Sequence, residues 1–248
     1  MPIYIPASPI PSPSASPSPS PAPEPTPMPK HETGDIIQFG GHNWRILDMQ
    51  GNHALIITEN VISHRTYHHT LEDVTWETSE IRQYLNNTFL GTFSEAERAR
   101  IRETTVVNSN NPWDWPDWGG HASTFGGNNT ADRIFLLSID EVLQYFGDSG
   151  LVAEGATVSA SARGGSTLPL LGLFGWGIWE NNHYSEARIA RDSADSASWW
   201  WLRSPGLLPN LAAHVGVDGC LSLRGTDAFQ SGGVGGGVRP ALWLSLEP

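Results

Sequence analysis

The chain has 248 residues, with 14 Lys+Arg against 26 Asp+Glu and a formal net charge of -12. That balance lacks the clustered cations that hold a phosphate backbone, which argues against nucleic acid as a partner. Lys30 is the only lysine, so there is no polybasic membrane anchor, and no apolar run reaches the roughly 20 residues that cross a bilayer.

Residues 1–33 read as a disordered tether. From residue 7 to 29 proline recurs beside serine and alanine, with too little apolar area to offset the entropy of ordering. A partly extended polyproline-II spacer is expected, or else a proline-motif ligand for a partner domain. Residues 1–11 show no charged stretch followed by a sustained apolar one, so no standard secretory signal is visible. Residues 34–248 read as one domain. Its 11 tryptophans and the chain's 26 glycines point to a loop-rich fold pinned by large aromatic anchors.

Asp35-Ile-Ile-Gln-Phe39, Trp44-Arg-Ile-Leu47 and Ala54-Leu-Ile-Ile57 are short apolar runs separated by Gly40-Gly41 and Gly51-Asn52, which predicts a three-stranded meander. Trp76, Ile81, Tyr84, Leu85 and Phe89 recur at near-helical spacing and predict an amphipathic helix on that sheet. Ser94 with Glu97, and Ser138 with Glu141, are capping boxes, and Gly147 stops the second helix. Residues 110–118 and 150–182 are too punctuated by Gly, Pro and Ser for regular structure. Ser198-Trp-Trp-Trp-Leu202 predicts a buried strand, 215–223 a hairpin around Asp218-Gly219, and 238–246 a closing strand. Antiparallel pairing dominates, so the class is α+β.

Candidate chemistry is sparse. His64, His68, His69 and Glu72 form a histidine cluster that could share a metal if helical. The β-branched and aromatic segment Ser63-His-Arg-Thr-Tyr67 opposes that geometry, so no catalytic metal is expected. No Gly-x-Ser-x-Gly elbow supports a hydrolase. The single cysteine, Cys220, leaves neither a disulfide framework nor a multi-cysteine zinc site. Asp114, Asp117, Asn128, Asn129 and Asp132 offer oxygens to a structural calcium, or else serve turns by bonding their own backbone. Strand alternation sends Trp199 and Trp201 to one face and Trp200 to the other, as a sugar-stacking platform or as core.

Ser198-Trp-Trp-Trp-Leu-Arg-Ser-Pro-Gly206, the Asp218-Gly219 hairpin and Gly236-Gly-Val-Arg-Pro-Ala-Leu-Trp243 together resemble the C-terminal region of bacterial and phage variable proteins diversified by retroelements. Residues 34–47 and Phe93-Ser-Glu-Ala-Glu-Arg98 resemble the same family. The resemblance implies a C-type-lectin-like fold of the formylglycine-generating-enzyme kind, a variable region at about 199–243, and a cell-surface, secreted or virion location. In such proteins a template is mutated at adenines, so variable asparagine codons cannot yield Lys, Glu, Gln, Met or Trp. Between Leu207 and Gly235 the chain has no Glu, Met or Trp. The absence of Lys there is uninformative, since the whole domain lacks it. Gln230 departs from the pattern and is read either as a fixed position or as a sign that the register of variable positions is different there.

The resemblance implies a non-enzymatic protein binding a protein or other surface ligand. Its variable positions would be Leu207, Leu208, Leu211, His214, Gly216, Val217, Cys220, Ser222, Leu223, Arg224, Thr226, Asp227, Phe229 and Ser231. Several of the apolar ones are expected to be exposed, forming a contact patch near Arg224 and Asp227. Trp200 and Trp243 are expected to be buried anchors. The rival class is an oxidase sharing this fold. Copper-dependent formylglycine chemistry needs paired cysteines, which Cys220 alone cannot supply. Iron-dependent sulfoxide synthases resemble His-x-x-x-His-x-Glu, where His64 and His68 match but Thr70 stands in the Glu position. A structural surface or virion module is the third reading.

Overall fold

The three apolar runs near the start form the predicted antiparallel meander: β1 (Ile36–Phe39), β2 (His42–Gln50) and β3 (His53–Thr58). The structure, a computed structural model, describes Met1 and residues 31–111, 124–147, 183–230 and 235–247. The chain divides into the units Met1–His31 and Glu32–Pro248. The tether expected at residues 1–33 lies almost wholly outside the described residues, as do most of 110–118 and 150–182.

After the meander come β4 (Ser63–Arg65) and α1 (Glu80–Gln83). The helix is shorter than the spacing from Trp76 predicts. Ser79 ends the preceding loop: its Oγ accepts from Arg82 N at 3.3 Å and donates to the Trp76 carbonyl at 2.9 Å. Trp76 therefore sits before the helix. Beyond Gln83 the chain widens into a π-helical stretch, Tyr84–Phe89, and tightens into a 3-10 turn, Leu90–Thr92. Ile81, Leu85 and Phe89 still point inward.

Both predicted capping boxes form. Ser94 N donates to Glu97 Oε2 (2.7 Å) at the start of α2 (Glu95–Arg100), and Ser138 N donates to Glu141 Oε2 (2.8 Å) at the start of α3 (Ile139–Phe146). Each serine Oγ accepts in return from the glutamate's own N–H, which satisfies two otherwise orphaned donors per helix. Gly147, at φ 77°, ends α3. Between these helices lie β5 (Ile101–Arg102), β6 (Thr104–Val106) and β7 (Thr130–Asp132).

The C-terminal part holds α4 (His183–Arg188), β8 (Ala190–Arg191), β9 (Ala197–Ser198), β10 (Trp200–Pro205), β11 (Leu211–Val215), β12 (Leu221–Asp227), β13 (Gly236–Val238) and β14 (Ala241–Ser245). One sheet runs β1-β2-β3-β14-β5 and a second runs β12-β11-β10-β13-β4; β6–β7 and β8–β9 are two-stranded pairs. Only the β10–β13 pairing is parallel among the described strands. The class is α+β, mostly antiparallel with few helices.

The predicted closing strand is in fact two strands. Arg239-Pro240 breaks it, so β13 pairs in the second sheet and β14 crosses to the first. Arg239 fills the crossing, fully buried. Its Nε donates to Thr58 O (2.9 Å) and Nη2 to Glu59 O (3.2 Å), and the guanidinium lies 5.0 Å from the Trp200 ring centroid. Burial pushes its pKa down to about 10, so it stays charged at neutral pH and its carbonyl acceptors and the aromatic face compensate the buried charge.

Candidate ligand-binding surface

The candidate residues hang on the edge of the second sheet, and register decides which way each one faces. Trp200 pairs with Val215 and Val215 with Leu221, whereas Trp201 pairs with His214 and His214 with Ser222. Paired residues share a face. The Trp200–Val215–Leu221 face has no solvent exposure. The opposite face carries Trp199 and Trp201, edge to face with centroids 4.7 Å apart, as alternation predicts. Exposure on this second face grows toward the edge strand: Trp201 is buried under Tyr67, while His214 and Ser222 are half-buried.

His214 is the titratable group of this face. Burial pushes its pKa down to about 4, against a smaller upward pull from Asp218. Its Nδ1 is buried without a hydrogen-bond partner among the described residues. The imidazole is therefore neutral at physiological pH and acts as a flat, weakly polar ring beside the indoles.

The other candidates fall at the two ends of the β11–β12 hairpin, about 16 Å apart for a five-residue strand. At one end Leu208 is 52 % exposed, Arg224 and Asp227 are exposed, and Leu207, Thr226 and Phe229 are half-buried. At the other end Val217 is 52 % exposed and Gly216 half-buried. The His214–Ser222 pair joins them. Three candidates are corrected to scaffold: Leu211, Cys220 and Leu223 are buried, at 8, 8 and 3 % exposure. Asn111 explains part of this. Buried itself, it donates through Nδ2 to Leu223 O (2.8 Å) and Pro205 O (3.0 Å), clamping residues 108–111 over the hairpin. Ser231 lies outside the described residues.

The hairpin turn differs in type from a two-residue Asp-Gly turn. Gly219 takes φ 76°, while neither Val217 nor Asp218 has a positive φ. Gly219 N donates to Gly216 O (3.0 Å) and Gly216 N to Cys220 O (2.8 Å), the three-residue loop that ends in a glycine bulge. A Cβ at Gly219 would fall on the Ser185 carbonyl of α4. Gln230 also has a local cause: at φ 44° it turns the chain after β12, and its Nε2 bonds Thr226 Oγ1 at 2.9 Å.

Two exposed apolar residues adjoin this surface without having been singled out by sequence. Phe125 is 61 % exposed beside Thr124, whose Oγ1 donates to Leu207 O at 2.6 Å. Leu71 is 69 % exposed ahead of Val74, whose N–H donates to Pro209 O at 2.9 Å. The only cue to Phe125 in the sequence is a large apolar residue set among glycines.

The remaining candidates separate. His64, on β4, bonds Ser198 Oγ at 2.9 Å, and Glu72 is exposed. Neither joins His68 and His69; Glu80 does. Asp132 is fully engaged: its carboxylate accepts from Trp76 Nε1 (2.9 Å), Arg82 Nε (2.7 Å) and Thr130 Oγ1 (2.6 Å). Asn129 Oδ1 accepts from Asn108 N, and Asn128 bonds Glu77. These three residues thus brace their loops. Asp114 and Asp117 lie outside the described residues. Trp243 is half-buried rather than a buried anchor.

A family profile described as a domain of unknown function, DUF6273, matches residues 51–246, and the chain belongs to that family. No curated protein and no solved structure matches the chain. Among the described residues no helix is long and apolar enough to cross a membrane.

Proposed function

We propose that this chain is a non-enzymatic binding protein, with a C-type-lectin-like domain of the formylglycine-generating-enzyme kind and a C-terminal surface diversified by a retroelement to recognise a protein or other surface ligand. One observation carries the reading: exposed Leu208, Val217, Arg224 and Asp227 lie on or beside the β11–β12 hairpin, while Val215 and Leu221 of the same hairpin are fully buried with Trp200 of the adjoining β10. Such a hairpin can change its outward residues without touching what holds it. Mixed apolar and charged groups at the exposed positions suit protein contact, and Phe125 and Leu71 extend the apolar area. The absence of Glu, Met and Trp between Leu207 and Gly235 agrees with variation from asparagine codons, and Gln230 has a turn-closing role that accounts for its departure.

The DNA flanking the gene tests this reading. A near-copy of the last coding segment is expected, differing from it only at adenines and at codons for outward positions such as Leu208, Arg224 and Asp227. Copies that differ at other nucleotides, or at the codons of Trp200 and Leu221, contradict it.

A further inference from the structure

We propose that His68, His69 and Glu80 form a binding site for one divalent metal ion of the zinc class. Each residue offers one ligand atom, and these atoms lie within 4.8 Å of one another. The cluster is assembled by tertiary structure. Tyr67 O accepts from Ile81 N at 3.2 Å, which lays the His68-His69 segment against the first turn of α1, where Glu80 is the first helical residue. Tyr67 N and His68 N both donate to Ala228 O, at 3.0 and 3.1 Å, so the backbone is fixed from the other side as well.

Two imidazoles and one carboxylate make a borderline-soft donor set that suits zinc rather than calcium or magnesium, which prefer oxygen alone. Three protein ligands leave one tetrahedral position open. His69 Nδ1 already contacts Glu80 Oε1, so donor and counter-charge are in place. His68 Nδ1 is buried with no hydrogen-bond partner among the described residues, a ring nitrogen left unclaimed in the middle of the cluster's donors. The His69 and Glu80 side chains are 65 and 40 % exposed, which gives an ion a path from solvent. This donor set is distinct from the His64–His68 pair of the sulfoxide-synthase pattern, and it does not depend on the binding-surface reading.

The test uses the untagged full chain, stripped with a chelator, dialysed, and titrated with Zn²⁺ by calorimetry at pH 7.5. One equivalent is expected to bind, and Co²⁺ in its place should give the visible absorption of a four-coordinate site. His69→Ala and Glu80→Gln change exposed side chains, so melting of the metal-free protein should stay the same while Zn²⁺ affinity drops about tenfold or more. His64→Ala should leave affinity unchanged. Failure to take up one equivalent, or uptake that His69→Ala and Glu80→Gln leave intact, overturns the proposal.

Discussion

His214 stands edge-on to Trp199, with ring centroids 5.2 Å apart and planes at 68°, and this contact ties the exposed edge of the hairpin to the tryptophan strand. Its pKa of about 4 lies below the ordinary 6.5, so between those values the unfolded chain binds the proton that the folded ring refuses. The contribution is complete above pH 6.5 and is lost as pH falls toward 4. At about 1.4 kcal/mol per pKa unit the loss reaches up to about 3 kcal/mol. Urea unfolding at pH 7.5 and pH 4.5 measures it: His214→Gln should lose less stability across that interval than the parent. An equal loss in both proteins would remove His214 as the cause.

The loop at 217–219 predicts sharply different responses at neighbouring positions. Gly219→Val places a β-branched side chain at φ 76° and against the Ser185 carbonyl, and should cost at least about 2 kcal/mol. Val217→Asn, two residues earlier and exposed, should stay within about 0.5 kcal/mol. Equal midpoints in chemical denaturation would show that the turn is not built as described.

Arg203 predicts the cost of removing a buried hub. Its guanidinium pairs with Glu141, donates to Leu136 O (2.8 Å) and to Val107 O (3.0 Å), and is 3 % exposed. Arg203→Ala leaves those acceptors and a carboxylate without their partner and should cost about 3 to 5 kcal/mol. Glu141→Gln keeps the capping box and should cost less. A reversed order in denaturation midpoints would mean that the cap outweighs the ion pair.

What was legible in the sequence is what local chemistry controls. The capping boxes, the meander and the alternation of Trp199, Trp200 and Trp201 depend on neighbours in the chain. Long-range partners were hidden. Leu211 and Leu223 read locally as loop and edge residues, and partners far away in sequence, Asn111 among them, hold the chain over their hairpin. Residues 238–246 read as one strand because both halves are apolar; Arg239-Pro240 was the available cue, since proline cannot donate to a ladder. Glu80 belongs to a helix start, and nothing in its own segment points to His68 and His69.

Outward residues on and beside the β11–β12 hairpin are separate from the buried residues that hold it and the sheets behind it. Two libraries test this separation, one randomised at Leu208, Val217, Arg224 and Asp227, the other at Trp200, Leu211, Leu221 and Leu242, each scored for the fraction of members that resist proteolysis as the parent does. Exposed substitutions typically stay within about 0.5 kcal/mol each, whereas truncating a buried tryptophan costs about 3 to 5 kcal/mol. Most members of the first library should remain folded and few of the second. Similar fractions in the two libraries, or a first library that is mostly degraded, would contradict the separation and with it the proposed diversified binding surface.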